Sequence, residues 1–191
     1  MGKLTVQALN ATAWDLFAGL AERHNGVWGG CWCVYFHPDC AEKRVSAEGN
    51  RALKERLVRD GLAHAALVVD GDEAVAWCQY GTPDELPEIQ HRRDDEKALV
   101  DLPDWRITCF FVDRRYRRQG TSAIALQGAL DLIAAAGGGV VESYPQDTAG
   151  KRTSASFLYN GTRSLFERAG FTYDRPKGKN HCVMLRTVAP T

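Results

Sequence analysis

Apolar residues in this chain fall into two rhythms. Short blocks at residues 3–8, 65–69, 73–80, 107–112, 140–144, 171–174 and 182–188 read as strands. Between them lie stretches with helical spacing. The first runs from Ala13 to Arg23, with Thr12 as N-cap and Trp14, Leu16, Phe17, Leu20 and Ala21 on one face, and Asn25-Gly26 closes it. Ser46 opens a second that reaches Asp60, with Leu53, Leu57 and Val58 inward and Gly61 as the stop. A third runs from Ser122 to about Ala136 and ends at three glycines, and a short fourth spans Thr162–Ala169 and stops at Gly170. Asp70-Gly71-Asp72 joins two strands as a hairpin turn. Residues 81–104 form a long polar connection rich in acid and proline. This order predicts a mixed α/β fold: one central mixed sheet of about six to seven strands flanked by helices.

Composition narrows the classes of function. At 191 residues the chain fits a single domain, 1–191. Lys+Arg and Asp+Glu balance at 24 each, so no global field recruits nucleic acid or an anionic membrane, and neither is expected as a partner. No apolar run approaches the roughly 18 residues of a membrane span. The first seven residues read as a strand and not as a signal peptide. Six cysteines are too sparse for a disulfide scaffold, so they are expected to be reduced thiols in a cytoplasmic protein.

The richest chemistry lies between Val112 and Ser122. A strand, a turn bearing Arg114, Arg115, Arg117, Arg118 and Gly120, and a helix start together make a phosphate-holding device. The first N–H groups of a helix lack internal partners, and the helix dipole is positive there. Glycine lets a ligand approach the backbone closely. Arginines add fixed charge suited to oxyanions. The ligand expected from these residues carries a diphosphate.

Arg117-Arg118-Gln119-Gly120-Thr121-Ser122 resembles the (Arg/Gln)-x-x-Gly-x-(Gly/Ala) turn of the GNAT superfamily of acyl-CoA-dependent N-acyltransferases. Ser122 is a small-for-small departure. Phe110-Phe111-Val112-Asp113 and Tyr116 are similar to that family's central strand and turn entry, and Leu165–Phe171 to its closing helix and Gly-Phe strand start. The resemblance spans about residues 3–188 and implies a single GNAT-like domain using acetyl-CoA as co-substrate, with no metal. It implies that the N–H groups from Arg118 to Ser122 hold the pyrophosphate, with Arg117 in the same turn. It also implies that the strand edge at Phe111 and Val112 pairs with the pantetheine arm. A primary amine, on a small molecule or an exposed amino group, would then attack the thioester directly. The resemblance is compatible with a homodimer.

The departures bear on catalysis. Where many GNAT enzymes carry a tyrosine as proton donor, four residues before the glycine, this chain has Phe166. Asn160 lies one residue from the place of a frequent cofactor-binding asparagine, and Tyr159 occupies that place. The donor is left among Tyr159, Tyr144, a water or none at all. The candidate base is Glu142, for which a structural ion pair is an equal reading. A catalytically weak CoA-binding or sensing module is therefore the second reading of the chain.

One segment fits none of this. Trp28, Cys31, Trp32 and Cys33 open a Cys- and aromatic-rich stretch ending at Cys40. It reads as the lining of the acceptor pocket or as packing. Two other readings stand beside it: a reactive cysteine, and a zinc-dependent interaction protein using Cys31, Cys33, His37 and Cys40. The C-x-C-x₃-H-x₂-C spacing departs from ordinary zinc knuckles. Cys78, Cys109 and Cys182 read as small buried hydrophobes in strands. The acceptor is not encoded in any recognisable motif.

Overall fold

The computed structural model describes residues 3–38, 46–89, 102–148 and 158–191. Seven strands form one sheet: β1 (Thr5–Ala8), β2 (His64–Asp70), β3 (Glu73–Gly81), β4 (Trp105–Val112), β5 (Gly139–Ser143), β6 (Thr172–Lys177) and β7 (His181–Val188). Their order is β1-β2-β3-β4-β5-β7-β6. Every pairing is antiparallel except β4 with β5. That one parallel pair is bridged by the crossover helix α3 (Thr121–Ala135), as parallel neighbours require. The other helices are α1 (Trp14–Glu22), α2 (Ala47–Arg59) and α4 (Arg163–Arg168).

Both faces of the sheet are covered, so the middle strands are buried along their length. On one face, Leu126, Leu130 and Ile133 of α3 pack with Val68, Ala76, Ile107 and Phe110. On the other, Phe17 of α1 and Leu53 of α2 pack with Trp32, Trp77 and Phe111. Among the described residues, no helix is long and apolar enough to cross a membrane.

Three expectations are corrected. Thr12 does not cap α1: Asn10 caps the 3-10 turn Ala11–Ala13 that leads into it, its carboxamide oxygen accepting from the N–H groups of Thr12 and Ala13 and from the Thr12 hydroxyl. β6 runs on to Lys177, through Pro176, because β6 is an edge strand and an edge tolerates a missing donor. Cys33 and Cys109 are joined as a disulfide, with Cα atoms 6.8 Å apart, whereas all six cysteines were expected to be reduced. The acids and histidine at 90–101, and Cys40, lie outside the described residues.

Candidate functional site

The β4–β5 pairing is short. It ends at Ile107 opposite Ser143, so the last five residues of β4 have no strand beside them on that side. The split begins at an irregularity. β3 pairs Gln79 with Cys109 and Tyr80 with Ile107, so Thr108 is left over as a bulge. Beyond it, the N–H of Asp113 donates to Val75 of β3. By alternation Phe111 also faces β3, and Phe110 and Val112 turn their N–H groups into the open slot. The N–H of Phe110 donates there to the carbonyl of Tyr159 at 2.6 Å. That of Val112 has no acceptor among the described residues. Of the two residues expected to offer backbone to a ligand, only Val112 turns its N–H into the slot. Phe111 spends its backbone in the ladder to Trp77 and turns its ring to the α1 face.

The turn after β4 is built by its own side chains. Asp113 caps the single 3-10 turn Arg114–Tyr116 through the N–H of Arg115. Arg117 Nε donates to the Val112 carbonyl, and the Thr121 hydroxyl donates to that of Tyr116. These bonds fold the chain back so that α3 starts beside the end of β4. Gly120 sits at φ +80° as the N-cap residue, a conformation that favours glycine, and Arg118 at φ +60°. A Cβ placed on Gly120 would meet nothing within 4 Å, so the space before the turn is open. Among the described residues, the N–H groups of Arg118, Gln119, Gly120, Thr121 and Ser122 donate to no protein acceptor. This is a cradle of five donors at a helix N-terminus, and it suits a pyrophosphate. Arg115 is not free to assist, because Asp113 and Glu73 hold it.

On the α1 face, the end of β4 borders a cleft of about 420 Å³ lined by Arg23, His24, Trp28, Phe111, Arg114 and Arg117. Asp113 lies close by but is spoken for. Burial favours its protonated form, yet bonds from Arg115 and His24 outweigh this and hold its carboxyl far below the usual carboxylate range.

The slot, the cradle and the strand order together invite comparison with solved structures. A structure described as histone acetyltransferase HPA2 and related acetyltransferase, from Corynebacterium glutamicum, superposes with a TM-score of 0.58 at 14% identity, covering 100% of this chain and 98% of that one. An acetyltransferase of the GNAT family from Streptococcus pneumoniae gives 0.53 at 12% identity, covering 98% and 100%. An N-acetyltransferase from Staphylococcus aureus gives 0.53 at 12% identity, covering 98% and 99%. The chain has the GNAT fold. No family model matches the sequence, and no curated protein is significantly similar to it.

Within this GNAT fold the predicted site residues separate into two groups. The cradle, Val112 and Trp28 gather at the end of β4. Trp28 packs edge-on to Phe111 and Tyr159. Tyr159 also lies against Phe36 and sits beside the slot. Trp32 and Cys33 do not line this cleft. Trp32 is buried and stacks on Trp14, and Cys33 is buried in its disulfide. Cys31 is half-buried. The zinc reading loses two of its four ligands, because Cys33 is bonded to Cys109 and both ring nitrogens of His37 are engaged.

Glu142, Tyr144 and Asn160 gather on the other side of the slot, where β5 ends opposite Ile107. Glu142 is fully buried, accepts from the Tyr144 hydroxyl and lies 3.5 Å from Arg175. Burial, and then the Glu142 carboxylate, push the Tyr144 phenol well above its ordinary range, so it stays protonated. This is the structural ion pair that stood as the equal reading of Glu142. The Asn160 carboxamide faces a water-sized cavity between Phe36, Tyr144, Lys177 and His181. Phe166 is fully buried, edge-on to Phe110 and Phe171, so the usual donor position is a core position here.

One cluster had no signal in the sequence. Lys54 of α2 is fully buried, with Nζ 2.6 Å from Gln79 Oε1 and 3.0 Å from His37 Nε2. His37 Nδ1 faces the Glu85 carbonyl at 3.0 Å and must carry the ring proton, which leaves Nε2 to accept from Lys54. Gln79 passes the chain on to Thr108, the bulge residue, at 3.1 Å. The bulge that opens the slot is thus tied through β3 to a buried lysine.

Proposed function

We propose that the protein is an acyl-CoA-dependent N-acetyltransferase that moves acetyl from acetyl-CoA to a primary amine by direct attack. The observation that carries this is the β4–α3 cradle, five unpartnered N–H groups around a left-handed Gly120, set beside a slot that opens past Ile107. The cradle fits a pyrophosphate by chemistry and by space, and the outward N–H of Val112 fits one amide of a pantetheine arm. The amine nitrogen bonds to the thioester carbon, the C–S bond breaks, and the thiolate leaves with a proton. In this reading the chain contributes positioning first. Tyr159 is the hydroxyl we assign to proton delivery, and Glu142 and Tyr144 serve as a buried support of β5.

The test is calorimetry with acetyl-CoA. The wild type is expected to bind, and Gly120→Glu to bind at least tenfold more weakly. That change adds a carboxylate before the cradle and about 1 kcal/mol of backbone strain. Absence of binding at millimolar acetyl-CoA, or indifference to the substitution, ends the proposal.

A second reading has its own support: a CoA-binding module without turnover. The Phe110 N–H that an oxyanion would use is engaged by Tyr159, and Phe166 carries no proton. Release of CoA across an amine panel separates the two readings. Acceptor-dependent release that drops in Tyr159→Phe supports the enzyme, and tight binding with no release supports the module.

A further inference from the structure

The cleft on the α1 face shares Arg114 and Arg117 with the turn that carries the cradle, but its Trp28–Phe111 wall lies on a face of its own. Trp28 and Phe111 belong to the core on the α1 side, whereas α3, whose N-terminus forms the cradle, packs on the opposite face. The end of β4 thus carries two openings, one before the N-terminus of α3 and one on the α1 face. The cleft, about 420 Å³, is in the range of small-molecule sites.

Its charge is one-sided. Arg23, Arg114 and Arg117 line it. Among the described residues neither Arg114 nor Arg117 has a carboxylate partner. The acid beside the cleft, Asp113, is 2% exposed and already bonded to Arg115, with His24 at 3.4 Å and Arg23 at 4.0 Å. Arg117 is fixed through Nε to the Val112 carbonyl and lies over the Phe111 ring, which leaves its two terminal nitrogens to point elsewhere. Arg117 over the Phe111 ring, with Arg114 in the same lining, makes a site for an oxyanion attached to a small apolar body.

We infer that this cleft binds the oxyanion of the acceptor, so that the acceptor is an amine that also carries a carboxylate or a phosphate. The inference rests on the acetyltransferase reading for the amine and on the cleft itself for the anion. The same chemistry has a second source, a phosphate of CoA, and the experiment separates them.

O-Phosphoethanolamine and ethanolamine are titrated by calorimetry into protein saturated with CoA, for the wild type and for Arg114→Ala, an exposed and structurally undemanding substitution. The expected result is that O-phosphoethanolamine binds at least tenfold tighter than ethanolamine, and that Arg114→Ala removes most of this preference. Equal affinity for the two amines, no binding of either, or a preference that survives Arg114→Ala overturns the inference. In a parallel arm CoA is compared with 3′-dephospho-CoA. A tenfold penalty for the missing phosphate that vanishes in Arg114→Ala assigns the cleft to the donor and also overturns it. If the wild type binds no CoA, the acetyltransferase reading falls. The titration run without CoA then reports on the oxyanion site alone.

Discussion

Lys54 lies in the helix sequence Leu53-Lys54-Glu55-Arg56, where a lysine is expected on the solvated side. Burial disfavours its ammonium form and lowers its pKa from 10.5 to about 7, with the nearby Cys31 acting the other way. In the unfolded chain the amine keeps its ordinary value. Between about pH 7 and 10.5 the unfolded chain therefore binds more protons than the folded one, and stability rises with pH by up to about 1.4 kcal/mol per unit. Below about pH 7 both states are protonated and the burial cost is fully present. Urea unfolding of the wild type and Lys54→Met at pH 7 and 9.5 checks this. The wild type should gain on the variant as pH rises, and a constant difference would mean that Lys54 keeps its proton when folded. His37 and Gln79 satisfy the amine in either state, which is how the fold accommodates it.

Among the elements, α3 is the one whose position the site depends on, because its first turn is the cradle. It is seated by close packing against the sheet. Gly128 meets the edge strand β1, where an added Cβ would come within 2.4 Å of Val6 Cγ1. Valine is stiff at χ1, so the contact cannot be relieved by a rotamer change alone. Gly128→Ala is expected to cost about 1–3 kcal/mol in urea unfolding. Adding Val6→Ala should recover most of that loss, and failure to recover would place the strain elsewhere. Much of this element level was readable beforehand. The strand periods, the Asp70-Gly71-Asp72 hairpin, the helix start at Ser46 and the short helix before Gly170 all depend on neighbours within a few residues, and all are found. The ends of β6 and the cap of α1 were misjudged because an edge position and a competing Asn10 decided them.

For the molecule as a whole, the Cys33–Cys109 disulfide joins the loop after α1 to the strand that carries the site, across 76 residues. By the chain-entropy model a closure of that length stabilises by roughly 4 kcal/mol. Adding reductant should therefore lower the urea midpoint of the wild type and leave Cys109→Ser unchanged. A wild type indifferent to reductant would show that the bond does not contribute. Reduction should also loosen the Trp28 wall of the cleft, since Trp28 precedes Cys33 by five residues and packs on Phe111.

The turn proposed to hold phosphate could be read from eleven consecutive residues because its features are local: a strand end, a left-handed glycine and a helix start. The element order was legible for the same reason, since period and capping act within a few residues. What only the folded chain decided was which groups are spent on one another. Phe111 loses its backbone to β3, Glu142 is paired with Arg175, Arg115 is held by Asp113, and Lys54 is drawn inside by Gln79. Each of these depends on a partner brought close by the sheet order or by a turn's geometry. Sequence spacing carries no record of such partners, and the anion site proposed at the cleft rests on Arg114 and Arg117 having no carboxylate partner among the described residues.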